Sequence, residues 1–129
     1  MTQLKMNAIG IVSADVQRSL EFYALLGLAV PVFDAAEDHF QCDLGNGVTL
    51  MWDTVKLIEQ ITPGYVHRKG GPIGMCFECG SVAEVDQVYA SLVGAGFESD
   101  AAPWDAFWGQ RYAIVKDPDG NSTSIYAPL

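Results

Sequence analysis

The sequence predicts an α+β fold made of two βαβββ modules in tandem, and three internal echoes predict it. Asp15 and Ser81 each follow an apolar, strand-like run and read as helix N-caps, because a short side-chain oxygen there accepts an orphan amide proton of the first turn. Eight residues beyond each cap stands the same dipeptide, Tyr23-Ala24 in the first half and Tyr89-Ala90 in the second. Each half then closes on a tight turn, Gly45-Asn46-Gly47 or Asp117-Pro118-Asp119-Gly120-Asn121, whose residues tolerate positive φ between strands.

The elements follow in order. An apolar strand over residues 6–13 leads into a helix capped by Asp15, with Val16, Leu20, Tyr23 and Leu26 along one face and Gly27 at its end. Strands are expected over 29–33, 39–44 and 48–52. Residues 54–65 carry Val55, Ile58 and Ile61 at helical spacing before Pro63-Gly64, which predicts a short helix and loop, with 67–71 as a mobile connector. The second set begins with a strand over 73–79. Its helix opens on Ser81-Val82-Ala83-Glu84, a capping box, and carries Val85, Val88, Tyr89 and Leu92 before Gly94 or Gly96. Strands over 97–101, 109–115 and 121–127 complete it. The whole is one domain, residues 1–129, made of module 1 (about 1–53), a connector (54–71) and module 2 (72–129). One face of each sheet lies under a helix, and the other faces are expected to close around a cup.

Composition narrows the chemistry. Half of the 129 residues are hydrophobic, enough to build a core without staples. Sixteen acids against seven Lys and Arg give a net charge of −9, which disfavours nucleic acid and anionic membranes as partners and favours cationic or neutral ligands. No apolar run reaches the roughly 18 residues of a membrane span, and no export signal is visible at the start, so a cytoplasmic location is expected. Three cysteines, Cys42, Cys76 and Cys79, read as reduced thiols. Cys76 and Cys79 match C-x-x-C, but the pair lies in a strand-like run rather than at a helix start and has no second pair to complete a zinc site.

Residues 9–28, with Asp15 and Glu21-Phe22-Tyr23 ahead of Leu26-Gly27-Leu28, resemble the first module of the vicinal oxygen chelate superfamily. Trp108-Gly109-Gln110-Arg111 and the turn at 117–121, leading into Ile125-Tyr126, resemble its closing module. The resemblance covers nearly the whole chain and implies the glyoxalase/bleomycin-resistance fold, usually as a homodimer. The superfamily includes glyoxalase I, extradiol dioxygenases, fosfomycin-modifying enzymes and metal-free proteins that sequester bleomycin, mitomycin or quinoxaline antibiotics. Its metalloenzymes take ligands from the first and fourth strands of each module. Carried onto this chain those positions are Ala8, Leu50, Gly74 and Ser124, which offer one neutral hydroxyl, so no metal and no other cofactor is expected.

Without a metal, the cup walls carry the expected function. With Thr49 set over Thr123 and Trp52 over Tyr126, the cup-facing sets in the last strand of each half read as Val48, Leu50 and Trp52, and as Ser122, Ser124 and Tyr126. Residues 101–108 read as a loop that adds Trp104, Phe107 and Trp108 at the mouth of module 2. The predicted ligand wall is Trp52, Trp104, Phe107, Trp108, Ser124 and Tyr126, with Phe33 and Phe40 from a partner subunit; the same rings would equally suit a dimer interface. Arg111 either pairs with Asp105 or Glu78 or holds a ligand carbonyl. Glu78 and Arg111 are the only weak catalytic candidates, Glu78 because it shares strand parity with Gly74 and faces the cup. Two functions therefore stand side by side. One is a metal-independent binding protein that sequesters a planar aromatic or cationic natural product. The other is a lyase or dioxygenase-like enzyme of the same fold acting on a small organic substrate, either metal-independent or with a non-standard metal site.

Overall fold

The computed structural model describes residues 1–129 and resolves them into two compact units, Met1–His67 and Arg68–Leu129. In the first unit β1 (Ala8–Ser13) leads to α1 (Val16–Leu25), then to β2 (His39–Asp43), β3 (Thr49–Thr54) and α2 (Val55–Ile61). Its sheet runs β1-β3-β2, with β1 parallel and β2 antiparallel to β3. The Asp15 carboxylate accepts from the Arg18 amide (3.0 Å) and the Thr54 hydroxyl from Leu57 (3.2 Å), so both helices start on caps. α1 lies on one face of the sheet, where Tyr23 meets Trp52 edge-on at 5.6 Å and Trp52 Nε1 donates to Ser19 Oγ at 3.1 Å.

The strand expected over 29–33 does not form, and the first sheet has three strands. Pro31 brings no amide donor and the Val30 amide is already spent on Leu28 O (2.9 Å), so the segment has little to offer a ladder; Val32 stands almost fully in solvent.

The second unit contains β4 (Gly74–Glu78), α3 (Val82–Gly94), β5 (Glu98–Ala106), β6 (Gln110–Lys116) and β7 (Ser122–Pro128), ordered β4-β7-β6-β5 in the sheet. β4 and β7 are parallel and the other pairs antiparallel. Ser81 caps α3, and Glu84 Oε1 accepts from the Gly80 amide, one residue before the expected partner of a capping box. Val85 and Leu92 of α3 are fully buried, as are Ala113, Val115 and Thr123 of the sheet. β5 continues to Ala106, through most of the segment read as a loop, and only Phe107 and Trp108 of it lie in the turn that follows. It accommodates Pro103 because its pairing with β6 slips twice, between Ser99 and Ala101 and between Ala101 and Trp104.

Both hairpins that end in β3 and β7 use three-residue loops. In each, the residue before the loop and the residue after it exchange a backbone bond, Leu44 with Val48 and Asp117 with Asn121. The third loop residue is a glycine at positive φ, Gly47 (81°) or Gly120 (78°). The Asp117 carboxylate ties its loop down, accepting from the Asp119 and Asn121 amides at 2.9 and 2.8 Å and from Asn121 Nδ2 at 2.9 Å. The connector lies against this loop: the Gly70 amide donates to Asp119 O at 2.8 Å. A Cβ on Gly70 would stand 2.6 Å from Gly120 O, so the contact requires a glycine.

Candidate functional site

Matching Gly47 with Gly120 sets the equivalence of the two sheets, and it moves module 1 by one residue from the sequence alignment. Thr49 corresponds to Ser122, Met51 to Ser124 and Asp53 to Tyr126, in agreement with the parallel pairings Ala8–Thr49 and Gly74–Ser122. Leu50 and Trp52 therefore belong to the helix-covered face. Both are fully buried, and Trp52 is held by Ser19 and Tyr23 beneath α1, so it is a core residue and no part of an open wall. Val48 shares that parity. Phe40, paired with Trp52, is buried on the same face and stacks on Phe33 at 5.8 Å. Phe33 is half-buried and lines a separate groove of about 600 Å³ in module 1, with Asp15, Glu37, Asp38 and Lys56 along it.

In module 2 the predicted parity agrees with the structure. Thr123, Ile125 and Ala127 are turned under the helix and buried, which leaves Ser122, Ser124 and Tyr126 on the open face with Gly74, Cys76 and Glu78 of β4. β6 contributes Tyr112 and Ile114, and β5 contributes Trp104. One row of paired residues thus crosses all four strands: Glu78, Tyr126, Tyr112, Trp104. A carboxylate stands at one end of this row and three aromatic rings follow it.

The rings touch. Tyr112 and Tyr126 stack with centroids 6.0 Å apart and planes 26° apart, and Trp104 meets Tyr112 edge-on at 5.4 Å. The hairpin turn between β5 and β6 adds Trp108, 5.2 Å from Tyr112 and 6.0 Å from Trp104, and Phe107, 5.1 Å from Trp108. Phe107 is 97% exposed and Trp108 48% exposed. Gly109, at φ 94°, lets the turn close, and Trp108 Nε1 donates to Gln110 Oε1 at 2.7 Å. Glu78 is exposed beside these rings.

Below the rings lies a small polar patch. The Tyr112 hydroxyl hydrogen-bonds Ser124, which is itself buried, and lies 3.8 Å from Cys76 Sγ. Burial pushes the Tyr112 phenol above its ordinary value; the Ser124 bond pulls it down and Cys76 pushes it up. The phenol therefore keeps its proton at neutral pH. Cys76 and Cys79 are free thiols, and burial raises the Cys79 thiol, with the Glu84 charge adding to the effect.

Arg111 does not belong to this face. Its guanidinium reaches Asp86 of α3 (3.0 Å) and Asp105 (3.1 Å), not Glu78, because it occupies the alternate parity of β6 between Gln110 and Tyr112. There it forms an ion pair with both carboxylates. Metal chemistry finds no donor set either: the family positions, corrected for register, are Ala8, Met51, Gly74 and Ser124, a thioether and a hydroxyl already engaged by Tyr112. These residues do not fit a divalent cation. No three His, Cys, Asp or Glu side chains converge elsewhere.

Sequence reasoning missed two groups. Tyr112, the hub of the ring cluster, is legible from strand parity once Tyr126 and Trp104 are placed. The second is on the open face of module 1, where His39 Nδ1 meets Asp53 Oδ1 at 2.5 Å and Nε2 meets Gln41 Oε1 at 3.0 Å. His39 and Asp53 are equidistant from Asn46, so hairpin counting alone pairs them.

Residues 5–125 match a family model described as the Glyoxalase/Bleomycin resistance protein/Dioxygenase superfamily. Among solved structures, a glyoxalase-related enzyme from Fulvimarina pelagi is similar to this chain at TM-score 0.83 and 24% identity, over 97% of this chain and 88% of that one. A glyoxalase/bleomycin resistance protein/dioxygenase from Nocardioides is similar at TM-score 0.74 and 26% identity, over 100% and 86%. A family enzyme from Burkholderia phytofirmans PsJN gives TM-score 0.74 at 16% identity, over 98% and 100%. No curated protein matches the chain.

Proposed function

Given that the chain belongs to the Glyoxalase/Bleomycin resistance protein/Dioxygenase superfamily, we propose that it is a metal-independent small-molecule binding protein that acts as a cytoplasmic homodimer. On this reading it sequesters a planar aromatic or cationic natural product, as the antibiotic-binding members of the family do, and the open face of module 2 supplies the ligand wall. The supporting observation is the row Glu78–Tyr126–Tyr112–Trp104 with Trp108 and Phe107 at its end. Large rings left on an open sheet face offer stacking worth about 0.5–1.5 kcal/mol per ring beyond burial. They also attract a cation, and Glu78 and the net charge of −9 act in the same direction.

The test is a tryptophan-fluorescence titration of metal-stripped and metal-supplemented protein with bleomycin, mitomycin and quinoxaline compounds. Saturable quenching at about one ligand per subunit, the same with and without metal, is the expected result. A response that requires added zinc, nickel or iron would overturn the reading.

A second reading draws on the protonated Tyr112 phenol and the exposed Glu78 on one face: a metal-free enzyme of this fold acting on a small organic substrate. Glu78→Gln separates the two. Turnover lost with binding retained favours the enzyme, whereas weaker binding with no turnover in either form favours the binding protein.

A further inference from the structure

The open face of module 1 carries a site of a different kind. By the hairpin equivalence that pairs Gly47 with Gly120, His39 occupies the position of Tyr112 and Asp53 that of Tyr126. The two sheets thus use one pair of register positions for two chemistries, stacked phenol rings in module 2 and an imidazole–carboxylate pair in module 1. Asp53 is mostly buried and fixes the Nδ1 side of the ring, while the His39 side chain remains 43% exposed. The Nε2 edge points along the strand to Gln41, an exposed residue two positions away on the same face.

We propose that the Asp53–His39 pair is a second ligand-contact site, which offers the Nε2 proton to a neutral carbonyl oxygen of a small molecule, and that the Gln41 amide is the internal occupant which that carbonyl displaces. The occupant indicates the ligand class. In the free protein the ring edge is satisfied by a neutral amide oxygen, and the Asp53 carboxylate beside the ring makes an anion unwelcome. An amide or similar carbonyl reproduces the Gln41 bond without bringing charge.

The protonation state supports this assignment. The Asp53 hydrogen bond, then the Gln41 bond, hold the imidazole above its ordinary value of 6.5; burial opposes them weakly and the Asp53 charge adds to them. β3 is the strand packed against β2, and the groups facing the ring from the two strands are Asp53, Gln41 and, farther along β2, Asp43. With Nδ1 fixed by a carboxylate, the proton at Nε2 is the exchangeable one. Carbonyl binding should weaken as pH rises through the titration of His39.

The probe is nicotinamide, an aromatic carboxamide, followed by saturation-transfer NMR on the full-length protein. Gln41→Ala should tighten binding severalfold by removing the competitor, and His39→Gln should weaken it about tenfold, the value of one charge-assisted hydrogen bond. A pair that only pins β2 to β3 predicts no gain from Gln41→Ala, so an unchanged or weaker affinity in that variant overturns the proposal. So does a nicotinamide affinity insensitive to His39→Gln, or no binding at all. Trp104→Ala keeps this site apart from the aromatic face. Binding lost in Trp104→Ala and kept in His39→Gln would place the amide on module 2, defeating this inference and leaving the proposed function intact.

Discussion

At the scale of single residues, Trp52 carries the plainest lesson. An aromatic residue near the end of a strand reads equally well as a ligand wall or as core, and its neighbours in sequence do not decide. Ser19 decides it: a serine in the middle of an apolar helix face needs a partner when fully buried, and the indole N–H is that partner. Trp52→Phe should therefore lower stability by about 2–4 kcal/mol, combining an unsatisfied buried hydroxyl with lost volume, as read by urea denaturation. The same variant leaves Trp104 and Trp108 as the only indoles. The ligand-induced quenching should survive in it, and loss of quenching would return Trp52 to the wall. His39 makes the other residue-scale prediction. Its folded-state value is raised, so the stabilisation from the Asp53 pair is fully present below pH 6.5 and is lost as pH rises through the folded-state titration. The gap in Tm between wild type and His39→Gln should be widest in acid and close toward alkaline pH. A gap that widens with pH would contradict the pairing.

Among the elements, those with a chemical start signal are legible in the sequence and those defined only by apolar content are not. Asp15 and Ser81 cap their helices as their side-chain chemistry requires, and Thr54 starts α2. The segment 29–33 reads as a strand because Val and Phe favour one, but Pro31 and the Val30–Leu28 bond remove its donors. The reverse holds at 101–106, where Pro103 suggests a loop and the chain forms a bulged strand instead. Register fails in module 1 because Thr49 and Thr123 are alike in type, whereas the feature that sets register is the glycine closing each three-residue loop. In module 2, Asp117 reinforces that loop with three hydrogen bonds, one of them to a side chain. Asp117→Ala should cost about 2–4 kcal/mol and loosen the β6–β7 hairpin, because Asp117 is buried and its partners lose their acceptor. Amide hydrogen exchange at Asp119 and Asn121 measures it directly, and unchanged protection there would show that the backbone holds the loop alone.

For the molecule as a whole, the repeat is the informative level. Two echoes of one unit, with matching caps and turns, are enough to specify the α+β architecture and its two sheets. They specify the candidate site only by half. Parity brings Ser124, Tyr126 and Glu78 onto one face, and β5 with the turn after it supplies Trp104, Phe107 and Trp108; Tyr112 and the His39–Asp53 pair come from pairing across strands, which has to be counted outward from the turns. No helix is long and apolar enough to cross a membrane. The slips in β5 have a further bearing on how the molecule behaves in crowded solution. β5 is one of the two outer strands of its sheet, and an outer strand with a regular row of free amides and carbonyls is a template on which another chain can grow. Pro103 withholds a donor and the two breaks in pairing bend the row, so this edge presents no continuous ladder. A chain that displays several large rings beside such an edge is thereby protected against assembling into fibrils through it.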